Sequence, residues 1–156
     1  MLVLLLVIVG FVMLRDLNRE QPESPAETVD YQQTLGYARE NASFEVLAPE
    51  RLSDGWRATT VEFVPEPSRW HLGVLTDEDR YVGLEQAVGS ERSIVETYVD
   101  PDPVRGKNVT IDGQSWRTWT DAGGDTALVR SRAQVTTLVV GSVGQDELVD
   151  YVTSLR

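Results

Sequence analysis

The chain has 156 residues, a formal net charge of −11 and no cysteine. This length allows one domain of ordinary size beside an N-terminal segment, and the domain must be stable without disulfides or thiolate metal sites. Nucleic acid is an unfavourable partner for so acidic a chain, because binding to phosphate backbones requires clustered cations.

The chain begins with an uninterrupted apolar stretch, residues 1–14. As a helix it would span roughly 21 Å, against a hydrocarbon core of about 30 Å. Its length is typical of a signal peptide, but no basic residue precedes it and no small-residue cleavage site follows. We interpret it as an uncleaved transmembrane anchor, and the missing basic flank predicts that this helix continues upstream of Met1. The alternative is a buried core helix.

Residues 15–30 follow as an acidic segment with two prolines, and we predict a flexible linker there. Arg15 and Arg19 flank the apolar stretch on its C-terminal side, which under the positive-inside rule places that side in the cytoplasm. A basic segment upstream of Met1 would reverse this orientation. From these residues alone both orientations stay open.

Residues 31–156 are predicted to form one domain. Its first half begins with a helix after Asp30, with apolar residues at helical spacing, and continues in alternating apolar patterns typical of strands. The predicted strands are 44–47, 56–64, 69–76 and 81–88, and a helix capped by Ser90 runs to Val99.

The second half repeats this order of strands and helix. Strands are predicted at 107–111, 114–120, 126–131 and 134–143, and a closing helix at 145–155. Residues 134–143 are apolar on both faces and are the best candidate for a central strand.

Consecutive strands joined by short polar turns predict an antiparallel sheet, and helices that follow blocks of strands predict an α+β class. We therefore expect a twisted antiparallel sheet with the helices packed on one face, preceded by an N-terminal transmembrane helix.

Catalytic and metal-binding patterns are weak. His71 is the only histidine, and a general base or a zinc site requires further partners that the sequence does not place near it. The acidic turns lack the spacing of a calcium loop. We predict no catalytic residue, no metal and no cofactor.

The four tryptophans all fall on predicted strands, and Trp116 and Trp119 are expected on opposite faces because they are three residues apart. An exposed tryptophan near a cation suggests a binding surface for a peptide, glycan or lipid. The residues predicted for this surface are Arg57, Trp70, His71 and Trp119. Packing in the core is the alternative for the tryptophans.

A series of short motifs recurs in a fixed order along the chain. They are FxVLAP at 44–49, GWR at 55–57, WxLG at 70–73, YVxLxQ at 81–86, GxSW at 113–116, ALVR at 127–130 and ELxxxxxSL at 147–155. In this order they resemble the actinobacterial, membrane-anchored family known as domain of unknown function 4245. The resemblance implies a cytoplasmic N-terminal stub, one membrane span and an external domain. It brings no activity and no catalytic residue.

We therefore expect a non-enzymatic, single-pass protein of the plasma membrane with its domain on the extracytoplasmic side. The domain is predicted to be a binding or accessory module whose partner is an envelope protein, a glycan or a lipid. The closing hairpin and helix also resemble, more loosely, the C-terminal part of sporulation and lipoprotein-carrier-like domains. The alternative is accordingly a carrier or chaperone that holds a lipid or lipoprotein between sheet and helices.

Overall fold

The computed structural model describes residues 27–156. The predicted anchor, residues 1–14, and most of the predicted linker lie outside the described residues. From residue 27 onward, every helix is too short or too polar to span a bilayer.

Eight strands and three helices make up the domain. The strands are β1 Arg57–Pro65, β2 Ser68–Leu75, β3 Tyr81–Val88, β4 Val104–Arg105, β5 Val109–Ile111, β6 Gln114–Thr120, β7 Thr126–Arg132 and β8 Val135–Gly141. The helices are α1 Gln32–Asn41, α2 Glu91–Tyr98 and α3 Gln145–Ser154. Most predicted elements are confirmed within a few residues. The sequence did not predict β4, and the predicted strand at 44–47 is wrong because that segment is irregular.

The strands form one antiparallel sheet in the order β1-β2-β3-β8-β7-β6-β4, with β5 also paired to β6. Two three-stranded meanders, β1-β2-β3 and β6-β7-β8, are joined where β3 pairs with β8. The prediction of a central last strand is confirmed, since β8 lies mid-sheet and both Leu138 and Val139 are fully buried.

The helices lie on both faces of the sheet. On what we call the first face, α1 and α3 cover the larger core, which includes Trp70, Leu84 and Leu128. On the opposite, second face, α2 packs Ile94 and Val95 against β7 and β8. The prediction that the helices share one face is therefore wrong. The helices lie on both faces because β7 and β8 are apolar on both faces, and helices must shield each apolar face from water.

Segment 43–48 runs across the first face and is held by a side chain. Leu47 N–H donates to Gln86 Oε1 (2.7 Å), and Gln86 Nε2 donates to the Glu45 carbonyl (3.3 Å) and to Thr137 Oγ1 (3.2 Å). Because Gln86 supplies these bonds, the segment needs no neighbouring strand, although its sequence is apolar enough to resemble one.

Candidate functional site

The structure does not bring the four predicted surface residues together. Trp70 is fully buried on the first face, whereas His71 points to the second face. Arg57, at the start of β1, forms an ion pair with Asp79 and donates to the Thr76 carbonyl.

Trp119 lies near α2, where its Nε1–H donates to Glu91 Oε1 (3.3 Å) and its ring packs against the smaller core. The expectation that Trp116 and Trp119 lie on opposite faces is confirmed. The cavity beside Trp119, about 400 Å³, also includes Arg117, which forms an ion pair with Glu91. Its principal charges therefore already have partners.

A groove on the first face was not predicted. Two cavities, of about 340 and 290 Å³, open between segment 43–47 and strand β7. Both are lined by Glu45, Leu47, Arg130 and Arg132, and we call the space around these four residues the arginine groove.

Strand geometry sets the two guanidinium groups side by side. Arg130 and Arg132 are two positions apart on β7, so their side chains leave the same face of the sheet. Leu128, two positions earlier, is fully buried on that face. The Arg130 guanidinium lies 5.1 Å from the centroid of the Trp116 ring, a cation–π distance.

The charges of these two arginines are only partly balanced, since Glu45 acts on Arg130 without forming an ion pair with it. Among the described residues neither Arg130 nor Arg132 has a carboxylate oxygen within 4.0 Å, whereas five other arginines form ion pairs. Burial lowers the pKa of Arg130, and the nearby charge of Arg132 lowers it further; Glu45 opposes this. An anion in the groove would relieve both causes, because it would supply hydrogen-bond acceptors and a negative charge.

The wall of the groove is fixed by buried contacts. Gln86, with 2% of its surface exposed, holds the Glu45–Leu47 wall to β3 and β8. The sequence contained a usable pattern here, since arginines two apart on a strand share a face. The wall of the groove could not be predicted, because the sequence indicates a strand at 44–47.

The second face carries a polar cluster over β1, β2 and β3. His71 Nδ1 is hydrogen-bonded to Glu85 Oε1, and His71 Nε2 lies 2.9 Å from Thr60 Oγ1. Sequence reasoning had found no partner for the histidine, because both partners come from neighbouring strands. Nowhere in residues 27–156 do three metal-ligating side chains gather in a way that could hold an ion.

A protein-family model described as "Protein of unknown function (DUF4245)" matches residues 1–155 of the chain. No curated protein and no solved structure matches the chain.

Proposed function

Since the chain belongs to the DUF4245 family, for which no activity is known, we propose from its own geometry that it is a membrane-anchored binding or accessory module that takes an anionic ligand in the arginine groove. The observation that carries this proposal is the pair of arginines that form no ion pair within residues 27–156, in a chain of net charge −11.

The chemistry of the groove favours a phosphate or a carboxylate. Guanidinium groups bind both through paired, charge-assisted hydrogen bonds. The side chains of Arg130 and Arg132 leave the strand roughly 7 Å apart, at about 3.3 Å per residue, so both can reach one multidentate anion. Glu45 also lines the groove, and its negative charge disfavours a ligand that is highly negative on the side facing Glu45.

A carrier for lipid or lipoprotein stays the second candidate. It would require an apolar cavity between sheet and helices. Support for the binding module comes from the filled first-face core, where large side chains such as Trp70, Leu72 and Leu84 are fully buried. The groove itself is lined by charged side chains and suits the head of an anionic ligand better than an acyl chain.

The proposed location is the plasma membrane of an actinobacterium, with one span and the domain outside. The apolar stretch 1–14 supports the membrane span. The external side and the actinobacterial host rest on what the resemblance to domain of unknown function 4245 implies. Alkaline phosphatase fused after Arg156 in such a host should be active, because this enzyme becomes active only on the extracytoplasmic side of the membrane. An inactive fusion with normal expression would refute the external domain.

The ligand proposal is tested by titrating the full chain in detergent with glycerol 3-phosphate and with citrate, following tryptophan fluorescence. Trp116 lies beside Arg130 and should report occupancy of the groove. Replacing Arg130 and Arg132 with glutamine should weaken binding at least about tenfold, since a charge-assisted hydrogen bond contributes about 1.5–3 kcal/mol.

The matched control replaces Arg51 and Arg105 with glutamine. These exposed arginines lie outside the groove, and the double variant changes the net charge by the same amount. If both double variants bind the anion equally weakly, the loss of affinity is due to overall charge. This result would refute binding in the arginine groove. Absence of saturable binding to the unaltered chain would refute an anion site of this class.

A further inference from the structure

Three side chains on the second face form a continuous chain of hydrogen bonds from solvent to interior. Thr60 Oγ1 lies 2.9 Å from His71 Nε2, and His71 Nδ1 is bonded to Glu85 Oε1. An activated nucleophile typically has this geometry: a hydroxyl lies beside an imidazole, and a carboxylate orients the imidazole. We propose that Thr60 is an acyl-accepting hydroxyl, with His71 as its general base and Glu85 as the residue that positions the imidazole.

The strand register produces this arrangement. His71 and Glu85 are direct cross-strand partners on β2 and β3, so their side chains meet on one face. Thr60 on β1 is paired with Gly73, one step along the same face. A Cβ at position 73 would lie 2.2 Å from Thr60 Oγ1, so the hydroxyl occupies the space that the glycine leaves free.

Burial rises along the chain of hydrogen bonds in the order that the roles demand. Thr60 is exposed, the His71 side chain is 21% exposed and that of Glu85 is 5% exposed. The nucleophile can therefore reach an external acyl group, while the carboxylate is shielded from water. Glu85 Oε2 is buried without a hydrogen-bond partner among the described residues, so the His71 bond is the main stabilisation of its charge.

Four further polar side chains lie around the Thr60–His71–Glu85 chain. Glu62 is its cross-strand neighbour on β1 and forms an ion pair with Arg69 (3.0 Å), which also lies 3.4 Å from the Tyr98 hydroxyl. The Tyr81 ring lies beside the Thr60 hydroxyl above Gly73. Burial and the nearby Glu85 charge raise the pKa of Tyr81 to about 12, so its phenol stays protonated at neutral pH.

The step transfers one acyl group. Thr60 Oγ1 attacks the carbonyl carbon of an ester while its proton moves to His71 Nε2, and Glu85 stabilises the resulting imidazolium. The carbon–oxygen bond to the leaving group then breaks, and the departing oxygen takes the proton from His71 Nε2. The products are acyl-Thr60 and a free alcohol, and the imidazole is neutral again. Because the site is an open sheet face, the donor must be an already activated ester.

The test uses p-nitrophenyl acetate with the full chain in detergent at neutral pH. Release of p-nitrophenolate gives the rate, and mass spectrometry of the tryptic peptide 58–69 locates the acetyl group. We expect acetyl-Thr60. General-base assistance contributes about 100-fold or more, so His71→Ala should slow modification of Thr60 to that extent. Glu85→Gln should slow it as well, and Thr60→Ser should preserve it.

Two controls separate activation from simple exposure. Thr59→Val removes the neighbouring hydroxyl, which lies in the same peptide without a bond to the imidazole, and should leave the rate unchanged. Gly73→Ala leaves all three side chains in place but pushes the hydroxyl away from His71, and should slow the reaction. Thermal unfolding of each variant identifies any that fails to fold.

The proposal is overturned if the acetyl group is found on Thr59 or Lys107 and not on Thr60. Equal rates of Thr60 modification in folded wild-type and His71→Ala chains would also overturn it, since the hydroxyl would then react without base assistance. The arginine groove lies on the other face, so neither result bears on anion binding.

Discussion

At the residue scale, the deepest tryptophan is a packing residue. Trp70 is fully buried, and its indole Nε1 has no hydrogen-bond partner among the described residues. Trp70→Ala should therefore lower the free energy of unfolding by about 3–5 kcal/mol through the cavity it leaves. Trp70→Phe should cost less than about 1.5 kcal/mol, since it conserves most of the apolar volume and removes an unsatisfied donor. Urea denaturation measures both, with Tyr37→Ala as an exposed control.

A similar loss for both variants of Trp70 would contradict this account, because it would mean that the indole N–H contributes a bond. The burial of Trp70 also bears on the binding surface that the sequence predicts around the tryptophans. Trp70 and His71 are adjacent in sequence but lie on opposite faces of β2, so one solvent-facing surface cannot include both.

Glu85 makes stability depend on pH. Burial raises the pKa of its carboxyl above the ordinary value, and the His71 hydrogen bond opposes this only in part. The folded state therefore holds the proton more tightly than the unfolded state. The stabilisation from Glu85 is complete below its ordinary pKa and is lost as the pH rises through its raised pKa.

Glu85→Gln should remove this dependence. Subtracting the unfolding free energy of the variant from that of the unaltered chain should give a difference that falls as the pH rises above 4.5, the ordinary pKa of a glutamate. Urea denaturation across the acidic range measures it. Glu62→Gln, which alters an exposed carboxylate on the same face, serves as the control. A difference that rises with pH would show that His71 outweighs burial.

At the element scale, the segment behind the arginine groove depends on one side chain. Gln86→Leu should remove three hydrogen bonds and leave the Leu47 N–H and the Glu45 carbonyl without them. Because unsatisfied buried groups cost about 1–3 kcal/mol each, we expect a loss of stability of that order. We also expect weaker binding of glycerol 3-phosphate, since the groove wall is released. Thr137→Val, which removes only one of the three partners, should have a smaller effect on both measurements.

The β7–β8 hairpin has turn residues that do not suit its conformation. Ala133 and Gln134 both have positive φ, 48° and 68°, whereas the β5–β6 hairpin places Asp112-Gly113 at 49° and 74°. Asn-Gly and Asp-Gly are favoured in such two-residue turns. Gln134→Gly should therefore stabilise the domain by about 1 kcal/mol, because glycine avoids the steric cost of a Cβ in the left-handed region, and Gly113→Gln should destabilise it. Thermal unfolding of both variants gives the comparison, and stabilisation by Gly113→Gln would contradict it.

The two hairpins also show which elements could be predicted from the sequence. Alternating residues and an Asp-Gly turn identified β5 and β6, because both patterns are local. The faces of the helices could not be predicted, because α2 packs against β7 and β8, which begin at Thr126 and Val135, far along the chain from its end at Tyr98. The arginine groove and the Thr60–His71–Glu85 chain were missed for the same reason. Each requires the order and register of strands, which local patterns do not contain.

At the scale of the whole molecule, the position where the domain begins links the fold to the predicted linker. The sequence prediction places the boundary at residue 31, but Val29 N–H donates to the Ala58 carbonyl (2.9 Å) and its side chain packs against the larger core. The last residues of the linker are thus attached to β1. They hold the chain at one edge of the sheet, where α1 begins.

A shortened chain of residues 27–156 should therefore unfold at nearly the same temperature as the full chain, since the described core lies within it. A chain of residues 31–156 lacks the Val29 contacts and should be less stable by about 0.5–1.5 kcal/mol, the net contribution of one hydrogen bond, with some further loss from packing. For a domain of this size that corresponds to a drop of about 2–8 °C in Tm. Val29→Ala in the longer chain should reproduce the packing loss alone, because it keeps the backbone bond. Equal Tm values for the two shortened chains would show that the ordered domain begins at residue 31, as the sequence pattern predicts.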